Sequence, residues 1–394
     1  MEVCEYLPCQ FFKNKFMKKI TQLLLVGLVV TGALFTSCVK DEADNIEADI
    51  ISATIEGAKE LLIVEPNIGS NQIDFRLIEE PENFTFAPTF TLSKGATISP
   101  ESGTSLDFTK DQTYIVTAED GITTKAYTVS FFVDEGMLLN YSFEEVEVIE
   151  TEGYKGEYHQ FYTLLGNGSK KIDWSSGNEG FNFLIRLFPT IVDEINPGVY
   201  PTSQIESGKS GKGVKLQTIS TGAMGAAFGS PLAAGNLFLG DFDVSKVMTP
   251  MKTTKFGQPY TYNVAPAAVK GWFKYKAGEE FVINNEPSEL EKDTWDAYAI
   301  LFEKSENDNF LTGDHNFEDA RMVSVAKLDD AQRIESNEWT EFEIEFENVA
   351  GKSFSADKEY MLTIVFSSSK EGANFNGAVG SELYIDEIEI VLAD

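Results

Sequence analysis

Residues 340–347 alternate without a break, with Phe342, Ile344 and Phe346 set against Glu341, Glu343, Glu345 and Glu347. Successive side chains of a strand point to opposite faces, so this pattern specifies a strand with one dry face and one wet face. The same two-residue period recurs along the chain in short runs broken by turn residues. Residues 213–218 place Val214 and Leu216 opposite Lys215 and Gln217. Residues 270–276 place Gly271, Phe273 and Tyr275 opposite Lys270, Trp272, Lys274 and Lys276. Residues 360–367 are more continuously apolar, as expected of a central strand covered on both faces. The pattern implies an all-β chain.

Two domains are expected. In residues 50–134, strands at 113–118 and 126–132 flank Asp120-Gly121, a strong two-residue hairpin turn. Further strands are expected at 60–64, 72–77 and 86–92, with residues 95–103 as a loop-rich join. This density of short strands suggests an immunoglobulin-like sandwich. The run Ile98-Ser99-Pro100-Glu101-Ser102-Gly103 and the later Tyr114-Ile115-Val116-Thr117-Ala118-Glu119-Asp120-Gly121 resemble small bacterial sandwich domains of secreted Bacteroidetes proteins. That resemblance implies a spacer. Residues 137–394 read as about ten strands with long connections, which suggests a larger jelly-roll sandwich. Its long loops, at 150–181 and 230–262, are where function is expected.

The first 37 residues read as a leader. Lys18 and Lys19 precede an apolar run of roughly 13 residues, shorter than the roughly 20 that a membrane-spanning helix needs. Translation is expected to start at Met17, since residues 1–16 lack signal character. Small residues lead into Cys38, which looks like a bacterial lipobox cysteine, and residues 38–49 form an acidic linker. Lys40-Asp41-Glu42 resembles the export signal of Bacteroidetes surface lipoproteins. An outer-membrane lipoprotein facing the cell exterior, anchored by lipid on Cys38, is the expectation. The other two cysteines, Cys4 and Cys9, fall in the leader, so the mature chain has no disulfide framework and no cysteine nucleophile.

The chain carries a net charge of −32 over 394 residues. Affinity for nucleic acid comes largely from cationic contacts, so the balance weighs against that partner.

Several stretches of the second domain occur in family order. They are Leu139-Asn140-Tyr141-Ser142-Phe143-Glu144, Asp173-Trp174-Ser175-Ser176-Gly177-Asn178 and Ala233-Ala234-Gly235-Asn236-Leu237-Phe238. Lys270-Gly271-Trp272-Phe273-Lys274-Tyr275, Val365-Phe366-Ser367-Ser368-Ser369-Lys370 and Gly380-Ser381-Glu382-Leu383-Tyr384-Ile385-Asp386-Glu387 continue the match. This domain resembles the putative carbohydrate metabolism domain family of Bacteroidetes lipoproteins. The resemblance implies a jelly roll like that of carbohydrate-binding modules, with a role in carbohydrate metabolism.

A sugar site needs a flat aromatic face and planar polar partners for hydroxyls. Trp174 is expected either to stack, with Asn178 and Asn236 as hydrogen-bond partners, or to plug the end of the sandwich, with Asn178 holding a turn. Trp295 and Tyr298, at a strand edge, are further glycan-binding candidates. Trp339 is expected in the core. Trp272, alternating with lysines, reads either as an outward platform or as a ring under a loop. Glu144 and Asp386 occupy the places where many jelly-roll modules hold structural calcium, an ion that takes oxygen ligands. Glycosidases need two carboxylates about 5 to 9.5 Å apart, and Asp293, Asp296 and Glu303 are the candidates. The expected function is capture of a polysaccharide or oligosaccharide beside neighbouring uptake proteins. The alternatives are a glycoside hydrolase and a structural or adhesive surface protein.

Overall fold

The computed structural model describes residues 45–393, apart from 56–60, 64, 70, 79, 134–135, 152–155, 166–167, 169, 188–196, 228, 248, 285–286 and 306–308. Cys38 and the leader lie outside the described residues. Among the described residues no helix is long and apolar enough to cross a membrane.

The expected hairpin is present: strands Gln112–Thr117 and Thr124–Val133 pair antiparallel across the Asp120-Gly121 turn. Asp120 closes it by accepting hydrogen bonds from the backbone N–H groups of Ile122 and Thr123. Strand Gln72–Leu77 runs parallel to Thr124–Val133 in a five-stranded sheet. Separate two-stranded ladders, one pairing Ile50–Ile55 with Pro88–Leu92, complete this first sandwich. Its core holds Ile73, Phe75, Leu77, Val116, Val129 and Phe131, with Phe75 and Phe131 stacked at 4.2 Å.

The second sandwich is one long curled sheet. Its hydrogen-bonded path runs through Trp174–Ser175, Asn236–Phe242, Tyr360–Ser367, Asp296–Glu303, Met322–Lys327, Ser336–Asn348, Pro266–Lys276, Glu382–Leu392, Gly213–Gln217 and Thr202–Ile205. Curling brings the two halves of the path face to face around a shared core that includes Leu237, Leu239, Phe273, Phe342, Ile364 and Ile385. Strand Tyr360–Ser367 is covered on both sides, as its continuous apolar run implied. Leu362, Ile364 and Phe366 face that core, while Met361 and Val365 face a smaller cluster with Phe238, Ile300 and Phe302.

Both stretches expected as long loops contain regular structure. Residues 150–181 include the strand Gly156–Leu164 and the start of a helix, Asn178–Leu187. Asn178, Phe181, Asn182 and Ile185 are its buried positions, the three-and-four spacing of an amphipathic helix. Residues 230–262 include strands Asn236–Phe242, Thr254–Phe256 and Gln258–Tyr260.

The two sandwiches lie in one compact unit, Ile46–Asp394. Strand Gln72–Leu77 is buried on both faces. Its odd positions enter the first core, and its even positions, Gln72, Asp74 and Arg76, are buried polar groups. Arg76, 3% exposed, reaches the second sandwich. Its Nη1 donates to Gln258 Oε1 at 2.6 Å, and its Nη2 lies 3.8 Å from Asp173 Oδ1. Asp173 also accepts a hydrogen bond from the Tyr141 hydroxyl at 3.2 Å and lies 3.9 Å from the Lys171 ammonium. Lys171 in turn donates to the carbonyl of Gly136. Asn67 reaches the carbonyl of Ile172 at 3.4 Å, and Lys304 reaches that of Ile63 at 3.2 Å. A flexible spacer would leave these groups in water. Here the first sandwich is docked through buried charge.

Removing one partner of a buried ion pair leaves the other uncompensated, so Arg76→Leu should cost about 3–5 kcal/mol, read by denaturant unfolding. A cost under about 1 kcal/mol, the size of an exposed pair, would show that the network is solvated. Asp74 makes a pH prediction. Burial pushes its carboxyl up to about 7 from an ordinary 3.8, although Gln72 Nε2 donates to it at 2.7 Å. A carboxyl raised in the folded state holds its proton more tightly than the unfolded chain does, so stability falls as pH rises from about 4 to about 7. Asp74→Asn should flatten that fall in a series of melting temperatures. An unchanged slope would contradict it.

Candidate functional site

The structure places the expected stacking residue inside. Trp174 is 3% exposed, with Tyr141 and Phe143 edge-on to it at 5.2 and 5.4 Å and Phe366 near-parallel at 6.2 Å. No pyranose can reach that ring. Asn178 and Asn236 do meet in the same corner, but as struts. The Asn178 amide is fully buried, donating to the Thr202 carbonyl at 2.7 Å and accepting from its N–H at 3.0 Å. Asn236 Oδ1 accepts from the Gly177 N–H at 2.7 Å. Trp295 is also fully buried, 4.3 Å from Phe273. Tyr298 is half-buried, with its hydroxyl 3.4 Å from His315 Nε2.

The carboxylate candidates are similarly engaged. Asp293 is buried, and its Oδ2 accepts from the hydroxyls of Ser369 and Ser381 and the N–H of Ala378 at 2.6–2.7 Å. Burial raises its pKa, opposed by those hydrogen bonds. The knot ties the residues just before strand Glu382–Leu392 to the segment around Asp293 and Ser369. Asp296 is tied to Arg333 at 2.7 Å, and Glu303 to Lys358 at 2.6 Å. They stand at the two ends of strand Asp296–Glu303, about 23 Å apart at ~3.3 Å per residue, beyond any glycosidase pair.

Glu144 and Asp386 do converge on one loop. Asp386 is fully buried, and its Oδ2 accepts from the N–H groups of Lys209 and Ser210 at 2.7 and 3.0 Å. Its other oxygen accepts from the Glu387 N–H at 2.8 Å. Glu144 accepts from the Lys212 N–H at 3.1 Å. The close approach explains Gly211, where an added Cβ would sit 2.2 Å from Glu144 Oε1. As folded here, these carboxylate oxygens accept from loop N–H groups, whereas a calcium shell is built of oxygen ligands. Among the described residues no group of three or more His, Cys, Asp or Glu side chains is placed to hold a metal.

An open site lies elsewhere, where the sandwiches meet. A narrow cleft there, with a free volume of about 20 Å³, is lined by Asn67, Ile68 and Gly69 from the first sandwich. Tyr158, Gln160, Ser175, Ser176, Glu179, Asp241 and Phe242 line it from the second. Gln160 is held by donating to the Trp174 carbonyl at 2.8 Å. Glu179 stands in the first turn of helix Asn178–Leu187. Phe242 packs on that turn, where a Cβ at Gly180 would come 2.9 Å from its ring. Asp241 ends strand Asn236–Phe242 with its Oδ1 buried and without a hydrogen-bond partner. Burial pushes its carboxyl up to about 6, with the Lys255 and Arg76 charges pulling the other way. Such a group can accept from, or donate to, a hydroxyl near neutral pH.

The Trp-Ser-Ser segment does contribute to this cleft, through its serines. On a strand Trp174 and Ser175 must face oppositely, and the indole takes the dry side. Asp241 carries no motif, only its position in a stretch expected to bear function. Two further tryptophans lie at the surface. Trp272 and Trp339 are both half-buried. Trp339 differs from the core expectation because odd positions of strand Ser336–Asn348 face outward, with Glu341 and Glu343, while Phe342 and Ile344 face in.

Comparisons with known proteins fit this architecture. Residues 142–391 match the family model described as putative carbohydrate metabolism domain, and residues 50–131 match the one described as SGBP, N-terminal. A crystal structure named as a putative glycoside hydrolase from Bacteroides thetaiotaomicron is 39% identical, with a TM-score of 0.78. The match covers 90% of this chain and 99% of that one. A second, named likewise and from Bacteroides vulgatus, is 35% identical with a TM-score of 0.58, covering 66% of this chain and 100% of that one. No curated protein matches. With its second sandwich matched almost end to end, this chain belongs to the putative carbohydrate metabolism domain family.

Proposed function

We propose that this chain is a surface glycan-binding protein that seats an oligosaccharide over the narrow cleft between its two sandwiches, with one sugar hydroxyl entering it. The observation that carries the reading is the Asp241 oxygen, buried in a polar cleft with no donor. A buried acceptor left unpaired costs free energy that an incoming hydroxyl recovers. Gln160, Ser175 and Ser176 offer further polar partners, and the half-buried Phe242 offers apolar ring surface for sugar C–H groups. The match of the first sandwich to a domain of surface glycan-binding proteins supports the same reading. In this reading lipid on Cys38 tethers the chain to the outer membrane, facing outward, where it presents captured polysaccharide to neighbouring uptake proteins.

One observation favours a second reading, hydrolysis. Two carboxylates, Asp241 and Glu179, line one cleft, and Asp241 is raised to about 6, the direction a general acid requires. The two relatives named as putative glycoside hydrolases accord with it.

Asp241→Ala separates a ligand group from a structural one. Titration calorimetry against an oligosaccharide panel should show affinity falling roughly tenfold or more, the worth of hydrogen bonds to a charged group. The melting temperature should hold or rise, because the carboxyl is desolvated and its Oδ1 has no partner, a cost that Asn67 and the Lys255 and Arg76 charges only partly offset. A fall in melting temperature with unchanged affinity would assign Asp241 to the fold. Release of reducing sugar by the native chain, abolished by both Asp241→Asn and Glu179→Gln, would establish the hydrolase reading. Binding without release would exclude it.

A further inference from the structure

The outer face of the sheet formed by Ser336–Asn348, Pro266–Lys276, Glu382–Leu392 and Gly213–Gln217 carries a row of lysines and aromatic rings. Lys274 and Lys215 both stand opposite Tyr384 in the ladder, on either side of it. Trp339 flanks Lys274, with the ammonium 5.0 Å from the ring centroid. One step along, the Lys209 ammonium lies 3.7 Å over Trp272. Lys276 follows on the same face as Lys274.

Charge makes this face unusual. The chain bears −32 overall, and its lysines elsewhere commonly sit against carboxylates, as in Lys170–Glu147, Lys255–Asp243 and Lys358–Glu303. On this face, among the described residues, Lys209, Lys215, Lys274 and Lys276 form no ion pair, although Lys270 pairs with Glu343. The Lys215 ammonium donates to Gln217 instead, at 3.0 Å. Carboxylates stand on the face as well: Glu382, opposite Lys276, accepts from the Tyr384 hydroxyl at 3.0 Å, and Glu341 lies opposite Trp272. Glu343, Glu345, Glu347, Glu387 and Glu389 lie beyond it, so the lysines gather at the Lys276 end. The buried Asp386 holds the backbone N–H groups of Lys209 and Ser210, which sets this loop beside the indole.

We infer that this face is a second carbohydrate subsite, separate from the interdomain cleft, selective for an anionic saccharide bearing carboxylate or sulfate groups. Lys274 and Lys215 are two strand spacings apart, about 10 Å, which suits a polymer with charge repeated along it. Cation–π contact holds the ammonium groups without neutralising them, leaving their charge for the ligand. The exposed ring edges of Trp272 and Trp339 supply the apolar contact that distinguishes a sugar from a bare anion.

Affinity electrophoresis of the full chain tests this with polygalacturonate, chondroitin sulfate, a neutral glucan and duplex DNA as separate probes. The native chain should be retarded by at least one anionic glycan, and added salt should reverse the effect. Lys215→Gln with Lys274→Gln should weaken it by up to about fivefold per lysine, the size of an exposed ion pair, with an unchanged melting temperature. Lys274→Arg should retain it, and Asp241→Ala should leave it intact, so that failure of the cleft reading and failure of this one are distinguishable. Retardation by only one of the two anionic glycans would support the inference and identify the anion. No retardation by either, equal retardation of the double glutamine variant, or equal retardation by DNA would overturn it.

Discussion

Arg76 is the group on which the arrangement of this molecule depends. A guanidinium cannot be buried without partners, and this one finds them across the boundary between two sandwiches, in Gln258 and Asp173. That requirement fixes which edge of the first sandwich faces the second. Once Arg76 is docked, Asn67 to Gly69 are brought against the end of strand Asn236–Phe242 and the first turn of helix Asn178–Leu187, and a cleft forms between them. The first sandwich therefore supplies part of the wall of the cleft.

Much of the fold was legible because its signal is local. The period of two in residues 340–347 and the Asp120-Gly121 turn each specify a conformation without reference to distant residues. The helix Asn178–Leu187 was hidden for the opposite reason: its apolar stripe is short, interrupted by the buried amides Asn178 and Asn182, and begins inside a stretch rich in glycine and serine. The site was harder still. Trp174, Asn178 and Asn236 were expected together at one wet rim, but side-chain type alone does not say which face of a two-residue strand is dry. The indole carries more apolar surface than the serines beside it, so it takes the core and leaves them the cleft.

The same competition decided the carboxylates. Asp293, Asp296, Glu144 and Asp386 were visible as acids, and each is answered by fixed donors: hydroxyls, a guanidinium, or loop N–H groups. Acids answered in this way hold structure. Asp241 differs in having an oxygen that nothing in the protein answers, and that property belongs to the assembled cleft and to no sequence motif. The Lys276 end of the outer face shows the converse: among the described residues Lys209 and Lys274 sit over indole rings and Lys215 bonds an amide, with no carboxylate in ion-pair reach.

The central claim, that glycan binds between the sandwiches, is tested most directly by a crystal structure of the chain with a bound oligosaccharide. The account predicts a sugar hydroxyl within hydrogen-bond distance of Asp241 Oδ1, with Asn67 and Ser175 on opposite sides of the ring. An oligosaccharide seated wholly on other surfaces, with Asp241 still without a partner, would contradict it.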